Sequence, residues 1–566
     1  MDNGNEAAPA PAKKGLEIDF SWLKPWRLTP VRLAVFMAIV ALGLGVLPFI
    51  KGAFYPGKHE GDTFQLADLA YRVALGEWPH LDFMTPIGYL AIAPISAFLR
   101  QGLAFGHSLF AAQLLVALIL VPFAAAIIAR RARSDWSGWL YGAAIMIYCV
   151  ALVHGETNNA ISASMHYNRW AWAVSFTILP IVMIPPRDGG APNWAEGLVL
   201  GLGLGVLVLM KMTYFLALAP AFALALVLRH WWGTAAMAIL GGLIVAGLVT
   251  AFAGPDFWAA YAADLLAVAR SPVRPEPGEP IWVVAGGPAF VGLNFLAVAG
   301  VIVLRLAGRS VEGIVLLVLL PGFVYITYQN YGNDPQWVLF PAFLLWTLRP
   351  DGPVLTPGGY DLRPWFGGLA LVAAAFAFPS LNNMAMSPIR HMSAPTEKTE
   401  PLLGLVGETD VRAAAIRILG VQESVSAMRP GSPYAIYSAR AGKPEPPKLN
   451  GEPLPDCEVT MGTKAVHQLL ARDLEAAGYG GKKLLLVDLF NALYLYGDFP
   501  VAHGSAPWNY GTLAGVDDAD YVIVPLCPTN GRVRSTVLKA LADGGYTLTI
   551  HERRPLYLVV QANKAS

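Results

Sequence analysis

The sequence predicts a polytopic α-helical membrane protein with about eleven transmembrane helices, juxtamembrane helices in the first outer loop, and a C-terminal soluble α/β or α+β domain. Three observations lead there. Of 566 residues, 55% are hydrophobic and only 14% are charged, and the mean hydropathy is +0.48, too little charge to cover a water-exposed surface of this size. Apolar stretches recur along the first two thirds of the chain, many long enough to cross a bilayer at the helical rise. After about Ser380 the composition changes to charged residues, Pro-Gly turns and ordinary amphipathic periods. A net charge of +1, with no basic stripe interleaved with aromatics, argues against a nucleic-acid partner.

Residues 1–30 are polar and Pro/Ala-rich, with Lys13, Lys14, Lys24 and Arg27 and no cleavable leader pattern, and read as a cytoplasmic tail. The membrane region, 31–380, offers spans at Val31–Ile50, Ser108–Ile128, Trp136–Val153, Trp170–Ile184, Leu198–Met210, Tyr214–Leu228, Ala235–Phe252, Trp282–Leu304, Val311–Ile326, Trp337–Leu348 and Trp365–Phe378. Pro86–Leu99 is short and contains Pro94, so it reads as a helix lying in the outer interface. With that segment not crossing, Arg130, Arg131, Arg133, Arg187, Arg229, Arg305, Arg309, Arg349 and Arg363 all fall inside. Residues 51–107, His154–Arg169, Gly254–Pro280 and Tyr328–Gln336 then fall outside, together with the soluble domain, 381–566. In that domain Lys483–Asp488, Tyr521–Leu526, Tyr546–Ile550 and Leu556–Val560 read as strands and Gly531–Gly544 as a helix. Cys457 and Cys527 share it, and either pair or stand as two buried thiols.

Candidate chemistry gathers in the outer loops. The first carries Glu60, Asp62, Asp68, Glu77, His80 and Asp82 beside Tyr71, Trp78 and Tyr89, carboxylates that can take a hydroxyl proton and rings that can cover a sugar face. Asp68, Arg72 and Glu77 read as the solvated face of a short amphipathic helix. Asp62 stands at the start of that helix, where a capping role and a catalytic role both fit. The second loop brings His154, Glu156, His166, Tyr167, Asn168 and Arg169. Arg169 either grips a phosphate in bidentate fashion or anchors a helix end at the interface. Lys211 interrupts an apolar tract at a tight turn, to meet an anionic headgroup or to snorkel. Arg270 and Arg274 close an amphipathic segment beginning at Phe257, suited to a lipid phosphate or to a plain surface helix, and Tyr331 and Asn333 suit either sugar hydroxyls or a turn. The sequence shows no compact zinc signature; a divalent metal stays possible without residues to support it.

Glu60-Gly61-Asp62 leading into Ala67-Asp68-Leu69-Ala70, then Trp78-Pro79-His80-Leu81-Asp82-Phe83 with Pro86-Ile87-Gly88, His166-Tyr167-Asn168-Arg169, Lys211-Met212-Thr213 and Asn330-Tyr331-Gly332-Asn333 follow in an order that resembles the GT-C superfamily of integral-membrane glycosyltransferases. The likeness is to the lipid A aminoarabinose transferases and protein O-mannosyltransferases. It implies a bacterial inner-membrane enzyme acting on the periplasmic side, moving a sugar from a polyprenyl-phosphate donor to a hydroxyl of an envelope glycan, lipid or protein by an inverting displacement. Asp62 matches the catalytic base of that family. Thr63 follows it, where several members have a second carboxylate, so Glu60 or Glu156 would have to fill that role. The phosphate would fall to Arg169, Lys211, Arg270 and Arg274, and the sugar or acceptor to Trp78, His80, Asp82, His166, Tyr167, Asn168, Tyr331 and Asn333. A lipid-linked saccharide transporter and an inactive assembly scaffold are the competing readings; a transporter is expected to show internal halves and mid-membrane polar residues.

Overall fold

The computed structural model describes residues 27–155, 158–274, 280–442 and 445–564; most of the expected N-terminal tail, and Glu156, lie outside them. Each expected apolar segment forms a helix. Six are long and apolar enough to cross a membrane: Pro30–Lys51, Phe105–Arg131, Trp232–Ala253, Pro288–Leu306, Ser310–Gln329 and Arg363–Met392. Trp194–Met210, Met212–Leu228 and Gln336–Leu348 are shorter apolar helices, and Asp135–Val150 and His166–Met183 pack among them. Trp232–Ala253 is the clearest lipid-facing element. Ile239, Leu243, Leu248 and Phe252 on it are all exposed, and burying such a side chain is worth about 1.5–3 kcal/mol, so a hydrocarbon solvent is what this surface fits. The chain is a multi-pass membrane protein.

Close packing follows from small residues at helical spacing. Gly197, Gly201 and Gly205 let Trp194–Met210 approach Trp232–Ala253 so tightly that a Cβ at Gly201 would lie 1.9 Å from the Ala238 carbonyl oxygen. At one end of the bundle arginines meet the few acidic residues there: Arg130 and Arg131 pair with Glu196, and Arg229 with Glu312 at 3.1 Å.

The expected juxtamembrane helices form in the first loop. Glu60–Ala74 is a helix, Tyr89–Ala91 a single 3₁₀ turn, and Ala93–Arg100 a helix of eight residues, too short to span. The last membrane helix runs on to Met392, past the expected boundary at 380, and Pro379 and Pro388 do not end it. Its end is held from outside: Tyr55 donates its backbone N–H to His391 Nε2 (3.1 Å), and Lys51 Nζ donates to the Met392 and Ala394 carbonyls.

The C-terminal region builds a four-stranded sheet in the order Leu484–Leu486, Tyr521–Pro525, Tyr557–Lys564, Tyr546–Arg553, its first pair parallel and the others antiparallel. Alternation sorts its side chains. Leu484, Leu486, Ile523, Tyr557 and Val559 cluster with Leu470 and Leu474 of helix Thr463–Ala476, while Leu485, Val522, Val524, Leu558 and Val560 cluster with Val533, Val537 and Leu541 of helix Gly531–Asp543. Helix, sheet and helix form three layers, and the four expected strands and the expected helix all appear. Cys457 and Cys527 form a disulfide.

This domain is stapled to the membrane region. Asp410 accepts the Gly106 and His107 backbone N–H groups and Glu408 that of Phe105, so the start of helix Phe105–Arg131 is capped from 300 residues away. The expected solvated face of Glu60–Ala74 is instead the docking surface. Asp68 and Arg72 are fully buried as an ion pair at 3.2 Å; Tyr494 Oη donates to Asp68 Oδ1 (2.9 Å), and Arg72 donates to the Ser505 carbonyl (3.0 Å) and Oγ (2.5 Å). Glu77, half-buried, lies 3.6 Å from Arg72.

Burial raises the Asp68 carboxyl to about 6, against the opposing pull of Arg72 and the Tyr494 hydrogen bond. Between about pH 4 and 6 the folded protein therefore holds a proton that the unfolded chain has released, and this group's contribution falls as pH rises through that window. Thermal unfolding of the wild type and Asp68→Asn across pH 4–7 should show the wild type losing ground to the variant with rising pH. A difference that stays constant would contradict the assignment.

Candidate functional site

A cavity of about 400 Å³ lies where the outer-loop helices, the ends of several apolar helices and the soluble domain meet. Its helical wall is Asp62, Gln65, Leu66 and Leu69, residues at i, i+3, i+4 and i+7 that share one face of Glu60–Ala74. Gly88 brings the neighbouring wall, Pro86 and Ile87, against the end of Trp194–Met210; a Cβ there would lie 2.1 Å from the Leu209 carbonyl oxygen. The backbone around the cavity is strained. His59, Met165 and Tyr331 have φ of 60°, 55° and 64°, and all three line it; such conformations persist where surrounding structure holds them, often at functional sites.

Asp62 is the single acidic residue among the described lining residues. Its carboxylate makes no hydrogen bond or ion pair among the described residues, so the capping role is not realised. His59 occupies the cap position without a side-chain capping bond. Three cations share the lining: Lys58, Lys211 and Arg274. Lys211 Nζ lies 5.1 Å from the centre of the Tyr167 ring, and the Arg274 guanidinium 4.7 Å from that of Tyr331. Neither has an acidic partner among the described residues; the Arg274 charge is left unneutralised beside its aromatic face, while burial and the charge of Arg274 lower the Lys211 ammonium to about 7, so that a bound anion would favour its protonated form. His59 Nδ1 sits 3.2 Å from Ser162 Oγ. Burial lowers this imidazole, Asp62 opposes the shift and Lys58 adds to it. Burial likewise takes His154, another lining residue, down to about 3, with Arg169 and His59 adding to the shift. Both rings are therefore neutral at pH 7. His166 Nε2 meets the Ala91 carbonyl (2.8 Å), and Asn333 Nδ2 the Met165 sulfur (3.6 Å).

Of the residues expected to form a site, Asp62, His166, Tyr167, Lys211, Arg274, Tyr331 and Asn333 converge on this cavity. The others do not. Glu60 pairs with Arg417, whose Nη2 donates to Oε2 at 2.8 Å, and is no second carboxylate for the cavity. Arg169 is buried behind the wall and does not line the cavity; its Nη1 donates to the carbonyls of Val153 (3.0 Å) and Ser164 (3.5 Å), both lining residues, while its Nε and Nη2 have no hydrogen-bond partner among the described residues. Arg270 is exposed at the end of helix Asp256–Ala269 and does not line the cavity. Asn168 is buried and donates to Asn330 Oδ1 (2.9 Å). Trp78, His80 and Asp82 form a structural knot: Trp78 stacks on Tyr89, its backbone N–H donates to Asp82, and His80 Nδ1 lies 2.8 Å from Asp264 Oδ2.

Lys58, His59, Gln65, His154, Asn158, Trp508 and Tyr510 also line the cavity. The spacing of Gln65 from Asp62 was a usable signal for one of them; Trp508 and Tyr510 come from the soluble domain and carry none. Among the described residues no group of three or more His, Cys, Asp or Glu is placed to hold a metal ion. No family model, characterised protein or solved structure matches the chain. Chemically, the cavity offers one free carboxylate, neutral imidazoles, two cations backed by aromatic rings, and amides that suit hydroxyls.

Proposed function

We propose that this protein is a membrane glycosyltransferase that uses a polyprenyl-phosphate sugar as donor, with Asp62 as the base and Lys211 and Arg274 as the phosphate-binding pair. The observation that carries the reading is the free Asp62 carboxylate in the same cavity as those two basic residues. Asp62 takes the proton of an acceptor hydroxyl as its oxygen bonds to the anomeric carbon; the bond from that carbon to the phosphate oxygen breaks, its electron pair leaves with polyprenyl phosphate, and the configuration inverts. Positioning and positive potential at the departing phosphate supply the remaining catalysis.

In this reading all eleven apolar segments cross the bilayer of a bacterial inner membrane, with the cavity and the C-terminal domain on the periplasmic face. The arginine cluster at the opposite end of the bundle supports that orientation through the positive-inside rule, and the disulfide supports an oxidising compartment for the domain.

Lys211→Ala and Arg274→Ala should each weaken binding of polyprenyl phosphate in nanodiscs by about tenfold to a hundredfold, as loss of a charge-assisted contact of about 1.5–3 kcal/mol requires. Arg270→Ala should leave it unchanged. Equal effects at all three positions would mean nonspecific attraction to lipid, and no effect at the first two would remove them from the donor site.

A further inference from the structure

The soluble domain does more than dock beside the cavity. Its segment 502–512 runs along the cavity wall and is fixed at several points: Gly504 donates its backbone N–H to the Asp82 carbonyl (2.7 Å), Ser505 receives Arg72, and Ser271 Oγ donates to the Tyr510 carbonyl (2.5 Å). Between these anchors Trp508 and Tyr510 stand two residues apart and both line the cavity, while Asn509 donates its backbone N–H to the Leu489 carbonyl. Trp508 is braced edge-on by Phe490, with ring centres 5.2 Å apart. Its indole N–H has no hydrogen-bond partner among the described residues and is available to a ligand. Burial raises the Tyr510 hydroxyl to about 12, so it too stays a neutral donor.

We infer that this segment is a carbohydrate-binding wall and that Trp508 determines specificity for an acceptor bearing a sugar ring. The inference rests on the transferase reading and narrows its acceptor from any hydroxyl compound to a glycan. An indole face offers an apolar platform for the C–H face of a pyranose, while amides and a free N–H take its hydroxyls. Gln65, Asn158 and Asn333 supply those amides in the same cavity, a lining that does not suit an isoprenoid chain. Tyr510 feels the charges of both Arg274 and Asp62 and stands within reach of both, and Phe490, which braces Trp508, sits so close over Gly61 that a Cβ there would lie 2.8 Å from its Cζ. Trp508 therefore belongs to the side of the cavity next to Asp62, where the attacking hydroxyl must be.

The test uses the full-length protein in nanodiscs, with maltose, cellobiose and α-mannobiose as probes, glycerol as the control, and saturation-transfer NMR as the readout, which needs no turnover. At least one disaccharide, and not glycerol, should bind. Trp508→Ala and Trp508→Leu should weaken that binding about tenfold, and Trp508→Phe should keep most of it. The leucine variant preserves bulk against Phe490, so it reports on the ring even if the alanine variant folds poorly. Absence of binding by all three disaccharides, or full binding in the leucine variant, would overturn the inference. Disaccharide binding through Trp508 without any binding of polyprenyl phosphate would instead sink the transferase reading and leave the wall standing.

Discussion

Asp62→Asn is expected to lower sugar transfer by about 10²–10⁴-fold, the range a positioned general base supplies, while membrane insertion, stability and binding of polyprenyl phosphate stay close to wild type. The amide is nearly isosteric but cannot take a proton. The carboxylate holds no hydrogen bond or ion pair among the described residues, so its loss breaks nothing in the fold, and any large effect must be read at the chemistry. Transfer by purified protein in nanodiscs, measured alongside lipid binding and thermal unfolding, separates the two. Wild-type turnover in Asp62→Asn would remove it as the base.

The second large effect is structural. Arg72→Ala leaves Asp68 buried without its cation and cuts both bonds to Ser505. Removing one member of a buried ion pair costs about 3–5 kcal/mol, and the loss falls on the contact between Glu60–Ala74 and the soluble domain. Hydrogen exchange should rise first in segment 502–512, and the melting temperature should fall. The double variant Asp68→Asn with Arg72→Met should regain part of the loss, because no unpaired charge then stays buried. A single variant as stable as wild type would mean that the pair is not buried in the membrane-embedded protein.

Much of this architecture was legible before the structure. Hydropathy over a fixed length marks a helix wherever hydrocarbon is the solvent, and unbroken apolar runs at Leu484–Leu486, Tyr521–Pro525 and Tyr557–Val560 mark strands covered on both faces. What failed were contacts across long sequence distance. Asp68 and Arg72 have the spacing of a solvated helix face, and only Tyr494 and Ser505, more than 400 residues on, turn that face into an interface. Arg169 has the chemistry of a phosphate ligand, but the structure buries it behind the cavity wall, with Nη1 on the carbonyls of Val153 and Ser164. Trp78, His80 and Asp82 sit in a conspicuous motif because a turn needs them there. Asp62 was singled out by the resemblance, with helix capping as its rival; the structure makes it the one acidic residue of the described lining and puts His59 at the cap position.

The most direct test of the central claim is the fate of the donor itself. Nanodisc-reconstituted wild-type protein supplied with a polyprenyl-phosphate sugar should cleave it, releasing one polyprenyl phosphate for each sugar transferred with inverted anomeric configuration, and Asp62→Asn should bind the donor and leave it whole. Movement of intact lipid-linked sugar between the leaflets of proteoliposomes, undiminished by Asp62→Asn and without release of polyprenyl phosphate, would contradict the account and make the protein a transporter.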